Sequence, residues 1–118
     1  MNLVSNFAVG FVALLHILFL ILEMFLWTKP FGRKIFGLKK EFAEESASLA
    51  KNQGLYNGFL AAGLVWSLLT NEFAFELKVF FLGCVIIAGI YGSLTAKSTI
   101  LFIQALPAGI ALALVYWF

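Results

Sequence analysis

Long apolar runs separated by short polar segments make up most of the chain. The runs cover residues 3–28, 53–70, 75–95 and 99–118, and a helix needs about 20 apolar residues to cross a membrane. The second run is the shortest, but the helix-favouring segment before it can extend it as one continuous helix. The links TNEFAFELK and TAKST are short enough to join antiparallel neighbours. The pattern predicts an all-α integral membrane protein, an antiparallel bundle of four transmembrane helices forming a single domain over residues 1–118.

The amino-acid composition also indicates that the protein is surrounded by lipid. Hydrophobic residues make up 63% of the 118 residues and charged residues 12%, against roughly 45–50% and 25% in soluble domains. A soluble protein of this size could not bury so much apolar surface. The net charge of +2 is too small to indicate a nucleic acid partner. Since the chain has one cysteine and one histidine, we expect no disulfide, no metal site and no cofactor.

Basic residues predict the orientation of the chain. Six of them lie in the first loop, residues 29–51: Lys29, Arg33, Lys34, Lys39, Lys40 and Lys51. The third link carries Lys97, and the opposite side of the membrane would carry only Lys78. Because Lys and Arg concentrate in cytoplasmic loops, we expect a multi-pass protein of the inner (plasma) membrane with both termini extracytoplasmic. The first loop also contains apolar residues, so we expect it to lie against the anionic headgroups.

Polar residues interrupt the apolar runs at one predicted depth. All four predicted spans contribute to this level, roughly 7–10 Å inside the cytoplasmic boundary, through Glu23, Gln53, Tyr56, Asn57, Tyr91 and Gln104. Polar side chains in lipid are costly unless they face the bundle interior or a water-filled cavity. We therefore expect these residues to line a ligand-binding pocket that opens to the cytoplasm. Trp27 is either a wall of this ligand-binding pocket or an interfacial anchor at the inner edge of the membrane.

Glu23 and His16 are the least expected residues of the first apolar run. Amide and tyrosine side chains often hydrogen-bond between membrane helices simply to hold them together. Glu23 is different, because an amide would make the same bonds without the desolvation cost of a carboxylate. His16 lies seven residues earlier, on the same helix face. It can be a satisfied core residue or an acid–base partner.

Small residues predict where helices approach closely. Gly54, Gly58 and Ala62 recur every four residues on the second span, and we expect the third and fourth helices to pack there. Gly89 and Gly92 would serve the same purpose on the third span. Pro107 should kink the fourth helix just past Gln104 and leave a backbone carbonyl free toward the pocket, because proline lacks the N–H that a helix requires.

The runs LEMFLWTKPFGRKIFG, NQGLYNGFLAAGL, AGIYG and QALPA together resemble a family of small four-span bacterial integral membrane proteins classed only as a domain of unknown function. The likeness covers nearly the whole chain. The resemblance implies that the marked positions of the family are His16, Glu23, Trp27, Asn52, Gln53, Gly54, Tyr56, Asn57, Gly89, Tyr91, Gly92, Gln104 and Pro107. It implies a site and no particular chemistry.

Three functions fit these features. The first is binding or transport of a small amphipathic or cationic molecule, with Glu23 as the proton or cation site. By analogy of size and layout with small multidrug exporters, such a protein could pair as a homodimer. The second is a membrane-embedded, isomerase-like enzyme in which His16 and Glu23 act as acid and base on a lipid-soluble substrate. The third is a structural subunit whose polar cluster only holds the helices in register.

Overall fold

The structure, a computed structural model, describes residues 2–117, and this part of the protein is mainly helical. In chain order the elements are α1 (Leu3–Met24), α2 (Pro30–Phe36), α3 (Lys40–Leu69), α4 (Ala74–Thr95), a π-helical segment (Leu101–Ala105) and α5 (Leu106–Trp117). No strand occurs within residues 2–117. The prediction of an all-α protein is therefore confirmed.

Two of these helices, α1 and α4, are long and apolar enough to cross a membrane. The apolar stretch Leu101–Trp117 is shorter. α3 begins at Lys40, within the basic segment, and continues without a break into the second apolar run, as predicted, because its first turns are rich in the strong helix formers Ala, Glu and Lys. The arrangement of four spans with both termini outside stays a prediction.

The segment predicted as the first loop, residues 29–51, is mostly helical. Pro30 occupies the first position of α2, where its missing N–H costs nothing. Gly37 ends this helix with a φ of 66°, a conformation that glycine adopts without strain. Phe31 and Ile35 on α2 are 61% and 50% exposed. An apolar surface beside the basic residues of this segment fits a helix lying at the membrane interface.

The chain forms two compact units, which we name by their residues. Within residues 2–117, unit A comprises residues 15–59, and unit B comprises residues 2–14 and 60–117. The hydrophobic core of unit B consists mainly of small and β-branched side chains: Val9, Val12, Ala13, Leu64, Leu82, Val85, Ala108, Ala111 and Val115. Side chains of this size allow helix axes to approach closely.

In unit B, the π-helical segment replaces the α-helical turn that precedes Pro107. Leu106 N–H donates to Leu101 O, five residues back, instead of four. Pro107 has no N–H of its own to donate to the preceding turn, and the π-helical segment ends two residues before it. The kink predicted at this point stays a prediction. Gly89 of α4 lies against this segment, since a Cβ at position 89 would be 2.6 Å from Ala105 N. The predicted close approach at Gly89 is therefore present.

Candidate functional site

Glu23, in the last turn of α1, is the buried polar centre of unit A. Its side chain is 4% exposed. Asn57 Nδ2 donates to Glu23 Oε1 at 2.5 Å, and Gln53 Nε2 donates to Glu23 Oε2 at 2.5 Å. Gln53 and Asn57 stand one turn apart on α3, so their amides reach the two oxygens of one carboxylate. The structure thus brings together three of the predicted site residues.

The two helices approach closely beside this carboxylate because of Gly54. A Cβ at position 54 would lie 2.6 Å from Met24 Cγ and 3.2 Å from Glu23 Cβ. One turn further, a Cβ at Gly58 would lie 2.7 Å from Leu20 Cδ1. The expectation that these glycines receive the third and fourth helices is wrong, because they face α1. The short amide side chains of Gln53 and Asn57 require this close approach to reach Glu23.

Trp27, four residues beyond Glu23, hydrogen-bonds to the hydroxyl of Ser46 on α3, a residue that the polar pattern of the sequence does not distinguish. Its Nε1 donates to Ser46 Oγ at 3.0 Å, and Ser46 Oγ donates to Phe42 O at 2.7 Å. The Trp27 ring also packs on Phe36 of α2, with 5.0 Å between ring centroids. Ser46 lies seven residues before Gln53, on the same face of α3. This helical spacing could have identified Ser46 as a neighbour of the site from the sequence.

His16 is fully buried in unit A, at 0% exposure. Its ring meets the Phe19 ring edge-on, with centroids 5.2 Å apart. Seven residues of helix separate it from Glu23, a rise of about 10 Å. A role for His16 as acid or base stays a prediction.

Tyr56, Tyr91 and Gln104 complete the set of predicted site residues. Tyr56 is 58% exposed, and its ring meets the Phe59 ring. Tyr91 and Gln104 belong to unit B, where Tyr91 is 68% exposed and Gln104 is partly buried. Their contribution to a shared pocket with Glu23 stays a prediction.

The site can accept a positive charge. Both donors that the structure places on Glu23 are neutral amides, which leave the negative charge of an ionised carboxylate uncompensated. Two carboxylate oxygens offer about four lone-pair sites, so two amide bonds leave acceptor capacity for a proton or a cation. Glu23 also lies at the C-terminal end of α1, where the helix dipole disfavours a negative charge. A proton or a cation bound there would remove both costs.

Within residues 2–117, no three His, Cys, Asp or Glu side chains are grouped to hold a metal ion.

The chain has known relatives. The sequence model of the family described as "Protein of unknown function (DUF1304)" matches residues 10–116, a description that names no activity and no location. The chain is also 33% identical over 103 residues to "Uncharacterized protein YpaA" of Lactococcus lactis subsp. lactis (strain IL1403), covering 86% of this chain and 87% of that protein. No solved structure matches the chain significantly. The protein therefore belongs to the DUF1304 family, and the resemblance to a domain of unknown function is confirmed.

Proposed function

We propose that this protein is a multi-span protein of the bacterial plasma membrane that binds or transports a small cationic or amphipathic molecule. Glu23 is the proton or cation site, in a polar interior pocket that opens to the cytoplasm. The observation that carries this proposal is the burial of the Glu23 carboxylate between two neutral amide donors. A buried ionic group is costly unless an opposite charge or a proton accompanies it.

Membrane insertion is supported by the outer surfaces of α1 and α4. Only 28% of the most apolar window of α1 and 22% of that of α4 is buried inside the structure. The core helix of a soluble protein would be mostly buried. The exposed apolar side chains of α1 and α4 therefore favour contact with lipid. The basic residues between positions 29 and 51 support a cytoplasmic location for that segment and extracytoplasmic termini.

A structural role is the second candidate, because Gln53 and Asn57 already hold both oxygens of Glu23. The choice of side chain at position 23 favours the binding role. A glutamine there could make the same interhelical bonds, since Gln53 can turn its amide to accept instead of donate. It would avoid the desolvation cost and the conflict with the helix dipole. The carboxylate is thus the feature that a purely structural role does not need.

The test is binding of a lipophilic cation, tetraphenylphosphonium, to the purified protein in mild detergent, with Glu23→Gln beside the wild type. Glu44→Gln is the matched control, because it removes an exposed carboxylate from the same unit. We expect Glu23→Gln to weaken binding of the cation, with a Kd that rises by about tenfold or more. Glu44→Gln should bind the cation as tightly as the wild type.

Native mass spectrometry of the same samples reports whether a co-purified molecule and a second copy of the chain are present. Equal affinity of the wild type and a folded Glu23→Gln variant, or no binding by either, would favour the structural role. Retained binding of a lipid-soluble substrate with lost turnover would favour the enzyme that uses His16 and Glu23.

A further inference from the structure

Unit B contains a second buried ionisable side chain, Lys78, in the second turn of α4. Lys78 is 2% exposed, and its Nζ donates to Asn6 Oδ1 of α1 at 2.8 Å. An ammonium group has three N–H donors, so a single amide oxygen leaves most of its donor capacity available. Within residues 2–117, no carboxylate forms an ion pair with Lys78. A buried ammonium that lacks a counter-ion favours the binding of an anion.

Lys78 faces a polar cavity of about 330 Å³. Its polar lining consists of Asn6, Ser67, Thr70, Asn71, Glu76 and Lys78. Ser67 is 1% exposed, and its hydroxyl already donates to Leu64 O, whereas Glu76 is exposed. The first turn of α4 also borders the cavity without a side-chain cap on its N–H groups. The buried positive charge of this cavity is thus matched to a small anionic group.

An apolar groove of about 510 Å³ adjoins this cavity. Leu3, Phe7, Phe11 and Leu14 line it along one face of α1, a length of roughly 16 Å. Asn6 and Leu68 line both the groove and the polar cavity. The two spaces together therefore have a positively charged head and a long apolar tail.

We propose that this head and tail form a binding site for a long-chain fatty carboxylate. The carboxylate accepts hydrogen bonds from the free N–H groups of Lys78, and the hydrocarbon chain lies along α1 against Phe7 and Phe11. A carboxylate at the end of one chain is narrow enough to reach an almost completely buried amine. A phosphodiester flanked by glycerol and two chains is not.

The placement suits a molecule taken from the membrane. Asn6 ends the first turn of α1 and Lys78 lies in the second turn of α4, where candidate spans begin. The groove continues along α1 to Leu14 in its apolar middle. A fatty carboxylate in this site would keep its head near the membrane boundary and its chain parallel to the helices. The proposal uses the membrane placement but not the role of Glu23.

The test is native mass spectrometry of the whole protein in mild detergent, titrated with palmitate. Gly10→Leu is the principal variant, because Gly10 lines the groove and a Cβ there meets only Leu68 Cδ1, at 3.9 Å. The larger side chain should fill the groove without disturbing the backbone. We expect Gly10→Leu and Lys78→Gln each to weaken palmitate binding by about tenfold or more, and Lys97→Gln, which removes an exposed charge, to leave it unchanged.

Two matched ligands identify the chemistry. Hexadecanol has a similar chain without the charge, and it should bind more weakly than palmitate. Phosphatidylglycerol should bind no more weakly to Gly10→Leu than to the wild type. The proposal is overturned if the folded Gly10→Leu variant binds palmitate as tightly as the wild type. It is equally overturned if hexadecanol matches palmitate, or if phosphatidylglycerol is the ligand that depends on Gly10 and Lys78. If the Lys78→Gln variant fails to fold, two comparisons still test the proposal: palmitate binding by Gly10→Leu against the wild type, and binding of hexadecanol against palmitate by the wild type.

Discussion

Asn57 on α3 donates a hydrogen bond to the buried carboxylate of Glu23 on α1, across 34 residues of sequence. This bond and its neighbour from Gln53 join two helices whose backbones approach at Gly54. Polar recognition and close packing therefore depend on one another at this point. The Glu23 oxygens can be held only where the helices come close, and the glycine permits that distance.

The Asn57–Glu23 bond should contribute measurably to stability. Asn57→Ala removes a donor from a buried carboxylate, so we expect a loss of about 1–3 kcal/mol in the free energy of unfolding. A double-mutant cycle with Glu23→Ala should give a coupling energy of about 1.5–3 kcal/mol, measured by unfolding in detergent. Asn52→Ala, on the exposed face of the same helix, should change stability by about 0.5 kcal/mol or less. A coupling energy near zero would contradict the bond.

Gly54→Ala should destabilise the protein through overcrowding. The new methyl group would meet Met24 and Glu23 at 2.6 and 3.2 Å, and crowding of this kind costs about 1–3 kcal/mol. Gly83→Ala is the control, because a Cβ at position 83 meets nothing within 4 Å. It should leave stability unchanged or raise it by up to about 1 kcal/mol, the gain in helix propensity. Thermal unfolding compares the two variants, and equal effects would exclude the close approach of α1 and α3.

The indole of Trp27 should be coupled energetically to Ser46. Trp27→Phe keeps an aromatic ring beside Phe36 but removes the N–H donor, and Ser46→Ala removes the acceptor. We expect a coupling energy of about 0.5–1.5 kcal/mol between these two changes. Trp66→Phe, at a side chain that is 57% exposed, should show no coupling to Ser46→Ala. Additive effects at positions 27 and 46 would mean that the indole N–H has another partner.

Labelling of single cysteines tests the proposed topology. In a background with Cys84→Ser, we expect Asn71→Cys to react with a membrane-impermeant maleimide added to intact cells. Lys39→Cys and Ser98→Cys should react only after the membrane is permeabilised, since the basic segments face the cytoplasm. All three positions are exposed in the structure, so accessibility should depend on sidedness and not on burial. The reverse pattern would invert the topology.

The helical class and most helix positions follow from local sequence. Apolar runs of membrane length, helix formers after Lys40 and the N–H that Pro107 lacks all act over a few residues, so periodicity and composition reveal them. The end of α1 was not foreseen. The apolar run continues to residue 28, but the helix ends at Met24. The hydrophobicity of a segment indicates whether it is surrounded by lipid or by water. It does not indicate where the backbone hydrogen bonds of the helix end.

The candidate site was foreseen in part. Glu23, Gln53 and Asn57 could be chosen from the sequence because polar groups in an apolar helix must find partners, and helical spacing places them on facing stripes. The partner of Trp27 was not foreseen, since a serine in a polar segment does not stand out. Gly54 and Gly58 were identified as contact positions, but their contact partner was wrong.

By itself, the sequence determined that this chain is apolar and helical and that it carries a carboxylate where lipid-facing helices rarely place one. Both statements depend on residue type and spacing, which act locally. Only the tertiary structure decided that Gly54 faces α1, that two amides hold Glu23, and that Lys78 reaches Asn6 beside an apolar groove. These contacts join residues that are distant in the chain, and a small-residue stripe looks the same whichever helix packs on it.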